Sequence, residues 1–312
     1  MKSLKLVAGC CLATLFSSSL MAAEDASCQT VRLGAVGWTD VVATTAVATE
    51  LLQSLGYKTT ETQASQQIIF SGIQKKQIDA FLGYWKPLMD DNIQPFLDKN
   101  AVKVKEQPSL ADGISSLAVP SYTAEAGLKT YADIAKFKDQ LDGKIYGIDP
   151  GTGANTTIQK MIDSNQFGLG GFELIESSEA AMLAAVGRAV RNNKPVVFFG
   201  WKPHPMNIKM DLTYLTGSED VFGADEGLAT VWTVTAPDYA QRCPNVDRLL
   251  TNLKFTAAQE SQLMEPIMAR ESPDKVAREW LKANPQVVET FLEGVTTLDG
   301  QPALAAVTTK LQ

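Results

Sequence analysis

Val196-Val197-Phe198-Phe199-Gly200-Trp201-Lys202-Pro203-His204-Pro205 is the segment from which the fold can be read. Four large apolar residues in a row suit a strand buried on both faces. Gly200 lets the backbone turn, and Trp201 follows just past the strand's carboxyl end, where open α/β sheets bind ligands. Two distant stretches repeat the arrangement, Leu33-Gly34-Ala35-Val36-Gly37-Trp38 and Ala80-Phe81-Leu82-Gly83-Tyr84-Trp85, so three of the five tryptophans follow a strand and a glycine. A tryptophan taken singly is ordinarily core. Three placed alike at strand ends can converge on one cleft, and the expectation is an aromatic box built from Trp38, Trp85 and Trp201.

Outward from these segments, strand and helix patterns alternate, the mark of an α/β protein. Thr30 to Val36 reads as a strand. A helix from Asp40 to Leu55 follows, with Val42, Ala46, Val47, Leu51 and Leu55 as its apolar stripe and Gly56 as its stop. Tyr57 to Thr62 is the next strand, Ser65 caps a helix through Lys75, and Ile78 to Leu82 delivers Trp85. Pro108 to Asp112 reads as a connection. Ser116 to Val119 opens a second set: helix Thr130 to Gln140, strand Lys144 to Ile148, helix Ala154 to Asp163, strand Leu174 to Glu176 and helix Ser178 to Arg191. Val196 to Phe199 closes that set, and Leu228 to Val234 carries the chain back. The remainder is helical, with Thr256-x-x-Gln259 as a capping box, Ser272-Pro273 as a cap with proline at the first helical position, and a further helix from Pro285. Crossings near 112–118 and 220–232 divide the chain into a discontinuous lobe (24–114 and 220–312) and an inserted one (115–219). Trp38 and Trp85 then lie on one lobe and Trp201 on the other, so a ligand held between them must close the lobes.

Lys2 and Lys5, the uncharged run Leu6 to Met21, and the small residues Ala22 and Ala23 make residues 1–22 a secretory signal peptide. No other segment approaches the roughly 20 apolar residues of a membrane helix. Loss of the leader takes its two lysines and leaves 26 basic against 35 acidic residues, a formal charge of -9. An acidic chain without a basic run is a poor candidate for nucleic acid or anionic membrane. Two cysteines remain, Cys28 and Cys243. In an exported protein one disulfide is the economical reading, and two separate buried thiols are the alternative.

Trp38-Thr39-Asp40 sets a carboxylate two residues from an indole. A cation against ring faces gains about 2 kcal/mol per face when desolvated, and the carboxylate accepts a polar hydrogen or balances the charge. Such a box favours a methylated ammonium, because it cannot replace the hydration of a bare one. Asp40 as a helix cap is compatible with that role. Asn155, on the turn Gly151-Thr152-Gly153-Ala154-Asn155, either faces the cleft to bond a ligand hydroxyl or carboxylate, or caps its own turn. The same turn lacks the lysine of a phosphate loop. Lys202 is a candidate partner for a ligand carboxylate, with a solvated lysine as the alternative. His204, the only histidine, excludes a multi-histidine metal site, and no Gly-x-Ser-x-Gly elbow accompanies it. No catalytic residue, metal site or cofactor is expected, and His204 between two prolines reads as structural.

Gly37-Trp38-Thr39-Asp40, Ala64-Ser65-Gln66-Gln67, Gly83-Tyr84-Trp85, Gly153-Ala154-Asn155, Gly200-Trp201-Lys202-Pro203-His204-Pro205-Met206-Asn207 and Arg242-Cys243-Pro244-Asn245 together resemble periplasmic substrate-binding proteins of quaternary-amine ABC transporters, most closely the choline-binding branch. The resemblance covers the whole mature chain. It implies a type II two-lobed fold, each lobe a mixed sheet flanked by helices, joined by two crossover segments. It also implies cage positions at Trp38, Trp85 and Trp201, hydroxyl contacts at Asp40 and Asn155, and a disulfide between Cys28 and Cys243. One position departs. Choline binders of this family carry a tyrosine where this chain has Ser115, ahead of Ser116-Leu117-Ala118-Val119-Pro120. The missing wall makes room for a larger ligand and shifts the expectation to carnitine over choline, with glycine betaine third; Tyr84 or Tyr122 as a substitute wall keeps choline open.

The expected function is capture of a trimethylammonium compound in the periplasm, as a monomer, for delivery to an inner-membrane permease driven by a separate ATPase. An enzyme acting on a methylated amine is the first rival, and ligand recovered unchanged after long incubation would dispose of it. An exported sensor module is the second, which neighbouring permease and ATPase genes would disfavour.

Overall fold

The structure, a computed structural model, describes residue 24 and residues 26–312; the expected leader lies outside the described residues. Ten strands form one curled mixed sheet: β1 (Thr30–Ala35), β2 (Lys58–Gln63), β3 (Ala80–Lys86), β4 (Lys103–Val104), β5 (Leu110–Pro120), β6 (Lys144–Tyr146), β7 (Glu173–Ile175), β8 (Phe198–Lys202), β9 (Leu212–Tyr214) and β10 (Leu228–Thr235). The main path runs β2-β1-β3-β10-β5-β8-β6-β7, with β4 on β10 and β9 on β5. In each lobe three parallel strands are built by helical crossovers, β2-β1-β3 in the first and β8-β6-β7 in the second. Antiparallel β10 and β5 lie between these triplets. The expected two-lobed α/β architecture with flanking helices is the one observed, and the strands of the two lobes join in a single mixed sheet.

The segment expected to be a connection at Pro108 to Asp112 is instead the start of β5. Leu110 is fully buried and pairs with Val231, and Ile114 pairs with Leu228, so β10 holds this backbone in the sheet from Leu110 onward, with a shift of register between Ala229 and Val231. Beyond Ile114 the same strand pairs with β8. A single strand thus carries the chain from one lobe to the other.

The glycines ahead of Trp85 and Trp201 do not turn the backbone. Gly83 lies inside β3 and Gly200 inside β8. A Cβ on Gly83 would stand 2.4 Å from the Val41 side chain, so this glycine lets the helix Thr39–Ser54 lie close on the strand. That helix is buried around almost its whole circumference, beyond the single apolar stripe expected of it. The sheet covers one side, and the C-terminal helices Ala257–Met268, Pro273–Ala283 and Ala303–Leu311 cover the other. Thr256 and Gln259 close the reciprocal capping box expected of them. Cys28 and Cys243 form the disulfide, with Cα atoms 5.6 Å apart at a sequence separation of 215. Closing a loop of that length removes about 5 kcal/mol of unfolded-state entropy in the chain-entropy model.

Candidate ligand-binding site

Each lobe presents its site residues from rigid elements. Trp38 precedes the first turn of the helix Thr39–Ser54, and Asp40 is the second residue of that helix. Trp85 is the penultimate residue of β3 and meets Asp40 through its indole nitrogen. Trp201 lies on β8 directly opposite Ser115 of β5, so the two side chains share a face. The side-chain period of two also places Phe199 on the face of Trp201, and their rings stack with centroids 5.8 Å apart. Thr152 caps the helix Gly153–Asp163 and accepts from the Asn155 amide.

These residues enclose a narrow cavity at the seam between the lobes, lined by Trp38, Asp40, Trp85, Ser115, Phe199 and Trp201 together with Leu88, Met89, Ile148 and residues 152–154. The walls are mainly aromatic and aliphatic. Trp38, Trp85 and Trp201 are 5–7% exposed, so a cation entering here is desolvated as it meets them. Among the described residues the chain's own cations lie over other rings: Lys86 over Tyr84 and Trp232, Lys202 over Tyr214, and Arg242 over Tyr239.

The polar groups of the cavity are few and incompletely satisfied. Trp85 Nε1 donates to Asp40 Oδ2 at 2.9 Å, which leaves Asp40 Oδ1 without a partner. Ser115 Oγ and Trp201 Nε1 are also buried and unpaired. Trp38 Nε1 is occupied, donating to Asp149 Oδ2 at 3.1 Å across the seam. Burial first, and then the nearby Glu179 charge, push the Asp40 carboxyl up to about 6, against the pull of the Trp85 donor. Behind it, Glu260 is fully buried and raised well above the carboxylate range, by burial and by the charges of Asp40 and Asp112. This end of the cavity is short of positive charge.

Five of the six side chains expected at the site, Trp38, Asp40, Trp85, Ser115 and Trp201, line this cavity. Asn155 does not. Its Oδ1 accepts from Ile148 N, and its Nδ2 donates to the carbonyls of Ile148 and Asp149 and to Glu176, so the turn itself consumes the amide. Thr152, three residues earlier, reaches the lining in its place. Lys202 lies over the Tyr214 ring at 5.0 Å, away from the cavity. Neither tyrosine proposed as a substitute wall is there: Tyr84 donates to Asp90 and Tyr122 to the Lys194 carbonyl. Phe199 supplies the fourth aromatic surface, and its two-residue offset from Trp201 was the signal for it. His204 is bonded within the fold: Met206 N donates to its Nδ1 at 3.0 Å, so Nε2 carries the hydrogen and donates to Glu179 at 3.1 Å.

The described residues include no group of three or more His, Cys, Asp or Glu side chains placed to hold a metal ion, and no helix long and apolar enough to cross a membrane. Residues 29–283 match the family described as the substrate-binding domain of ABC-type glycine betaine transport systems. Among solved structures, an ABC-transporter choline-binding protein in complex with choline is 47% identical, covering 93% of this chain and 100% of that one, with a TM-score of 0.90. A choline-binding protein in an unliganded semi-closed conformation, also 47% identical over 91% of this chain and 99% of that one, gives 0.83. The glycine betaine/carnitine transport binding protein GbuC of Listeria monocytogenes is 30% identical over 187 residues, 59% of this chain and 61% of that protein. These relatives bind solutes for transport and are not enzymes. The chain belongs to the substrate-binding domain family of ABC-type glycine betaine transport systems, the component of an importer that takes up glycine betaine- and choline-type ligands.

Proposed function

We propose that this protein is a periplasmic receptor that captures carnitine between its lobes and hands it to an inner-membrane permease energised by a separate ATPase, working as a monomer after removal of residues 1–22. Trp38, Trp85 and Trp201, with Phe199, receive the trimethylammonium head, and Asp40 balances its charge. The lobes divide near 114/115 and 219/220, with β5 and the segment before β10 as the two crossings. The observation that carries the reading is the set of three unpaired buried atoms. Asp40 Oδ1 only accepts, Trp201 Nε1 only donates, and Ser115 Oγ does either. A quaternary amine with a hydroxyl and a carboxylate satisfies all three, the hydroxyl donating to Asp40 and the carboxylate accepting from Trp201 and Ser115.

Choline is the second reading, favoured by a different observation: the lining holds one carboxylate and no lysine or arginine, which matches a simple monocation. Its relatives of known ligand include a choline-bound protein. Calorimetric titration of ligand-stripped protein with carnitine, choline and glycine betaine separates these readings. Tightest binding of carnitine supports the first and tightest binding of choline the second. Silence toward all three overturns the aromatic-box reading.

A further inference from the structure

Glu179 lies outside the cavity lining, yet it joins the two sets of residues that form it. It is the first residue of the helix Glu179–Arg191 and only 6% exposed. Its Oε2 accepts from the backbone N–H of Thr39 at 2.9 Å, and its Oε1 from the Thr39 hydroxyl at 2.5 Å. Thr39 belongs to the opposite lobe, between Trp38 and Asp40. It is also the first residue of its own helix, so its amide has no acceptor within that helix. Glu179 Oε1 takes a third hydrogen bond from His204 Nε2, and the His204 ring packs edge-on against Trp201 with centroids 4.7 Å apart. One carboxylate therefore ties the helix bearing Asp40 to the wall bearing Trp201, with charge-assisted bonds and with its negative charge at a helix N-terminus.

Thr39 immediately precedes Asp40, so the bonds that Glu179 makes to it also bring the two carboxylates into one neighbourhood, where the Glu179 charge raises the Asp40 carboxyl. Asp40 and Glu179 sit on different lobes, so opening separates them and closing costs their repulsion. A cation in the box offsets it.

We propose that Glu179 is the positioning residue that makes lobe closure conditional on a cation: its bonds to Thr39 hold the closed form, and its charge opposes that form until a quaternary ammonium lies beside Asp40. This rests on the quaternary-amine reading of the site. It places control of ligand residence time in a residue that never touches the ligand.

The test compares wild type with Glu179→Ala and Glu179→Gln, each checked for folding by circular dichroism. Dissociation of the tightest-binding quaternary amine is followed by stopped flow, and exchange of the Thr39 amide by NMR. Glu179→Ala should raise the dissociation rate at least tenfold with association changed by less than about threefold, and should abolish protection of the Thr39 amide. Glu179→Gln keeps one acceptor without the charge. It should protect Thr39 partly and move the pH midpoint of ligand affinity, set by Asp40, to lower pH. An unchanged dissociation rate and equal Thr39 protection in Glu179→Ala would overturn the proposal, as would an unmoved midpoint in Glu179→Gln. Failure of the wild type to bind any quaternary amine would instead refute the ligand reading. Thr39 exchange in the protein alone, compared between wild type and Glu179→Ala, would still decide whether the latch exists.

Discussion

Replacement of Asp40 by asparagine should make the empty protein more stable while destroying its ligand response. In the folded protein the Asp40 carboxyl is pushed from 3.8 up to about 6 by burial and by Glu179. A raised acid value means the folded state holds the proton more tightly than the unfolded chain does. Ionised Asp40 therefore destabilises the fold above about pH 6, and the effect vanishes below about pH 3.8, where both states are protonated. The shift corresponds to about 3 kcal/mol at neutral pH. The asparagine carbonyl can keep the bond from Trp85, but its amide nitrogen falls where Asp40 Oδ1 has no partner, which returns about 1 kcal/mol. The remaining gain is at most about 2 kcal/mol, because opening of the empty protein takes Asp40 away from Glu179, and it should raise the melting temperature of ligand-free protein by up to about 3 °C for a chain of this size. Differential scanning calorimetry from pH 4.5 to 7.5 measures it, and carnitine or choline should raise the melting temperature of the wild type only. The variant's advantage should shrink as pH falls from 6 toward 4. A variant no more stable than wild type at pH 7.5, or one whose advantage does not change with pH, would refute the assignment of Asp40 as an uncompensated buried charge awaiting a cation.

Two further substitutions probe the seam and the missing wall. Gly153 opens its helix against the opposite lobe, where an added Cβ would stand 1.7 Å from the Leu88 carbonyl oxygen. Gly153→Ala should therefore hold the lobes apart, weaken ligand binding at least tenfold and enlarge the radius of gyration of the liganded protein in solution scattering. The local helix should not suffer, since alanine favours helix. Ser115→Tyr fills the space opposite Trp201 and should move the ratio of choline to carnitine affinity at least tenfold toward choline by titration calorimetry. An unchanged ratio would mean that position 115 does not set ligand size.

The two-lobed fold was legible because its evidence is periodic. Buried strand runs alternate with amphipathic stretches, and each repeat of strand, glycine and tryptophan marks one wall of the cavity. The function of the glycines was not legible. A glycine that turns a chain and one that lets a helix lie on a strand look alike until the neighbour is known, and for Gly83 that neighbour is Val41. Within the site, strand register decided what pattern alone left ambiguous. Phe199 follows from Trp201 by the two-residue period, whereas the exchange of Asn155 for Thr152 depends on hydrogen bonds that the turn makes with itself. Glu179 was hidden for another reason. Its partner Thr39 lies 140 residues away, and an acidic residue opening a helix is ordinarily just a favourable charge there.

The unbroken strand β5 gives the molecule a mechanical character. A flexible loop between lobes would let them swing without restoring force, but here the connection is a hydrogen-bonded ribbon clamped by β10 on one half and β8 on the other. Opening must twist that ribbon, so the hinge acts as a torsion spring that returns the lobes toward a preferred angle. The same sharing removes independence in failure. When either half unravels, the other loses the partner along β5, and the two lobes are bound to melt together.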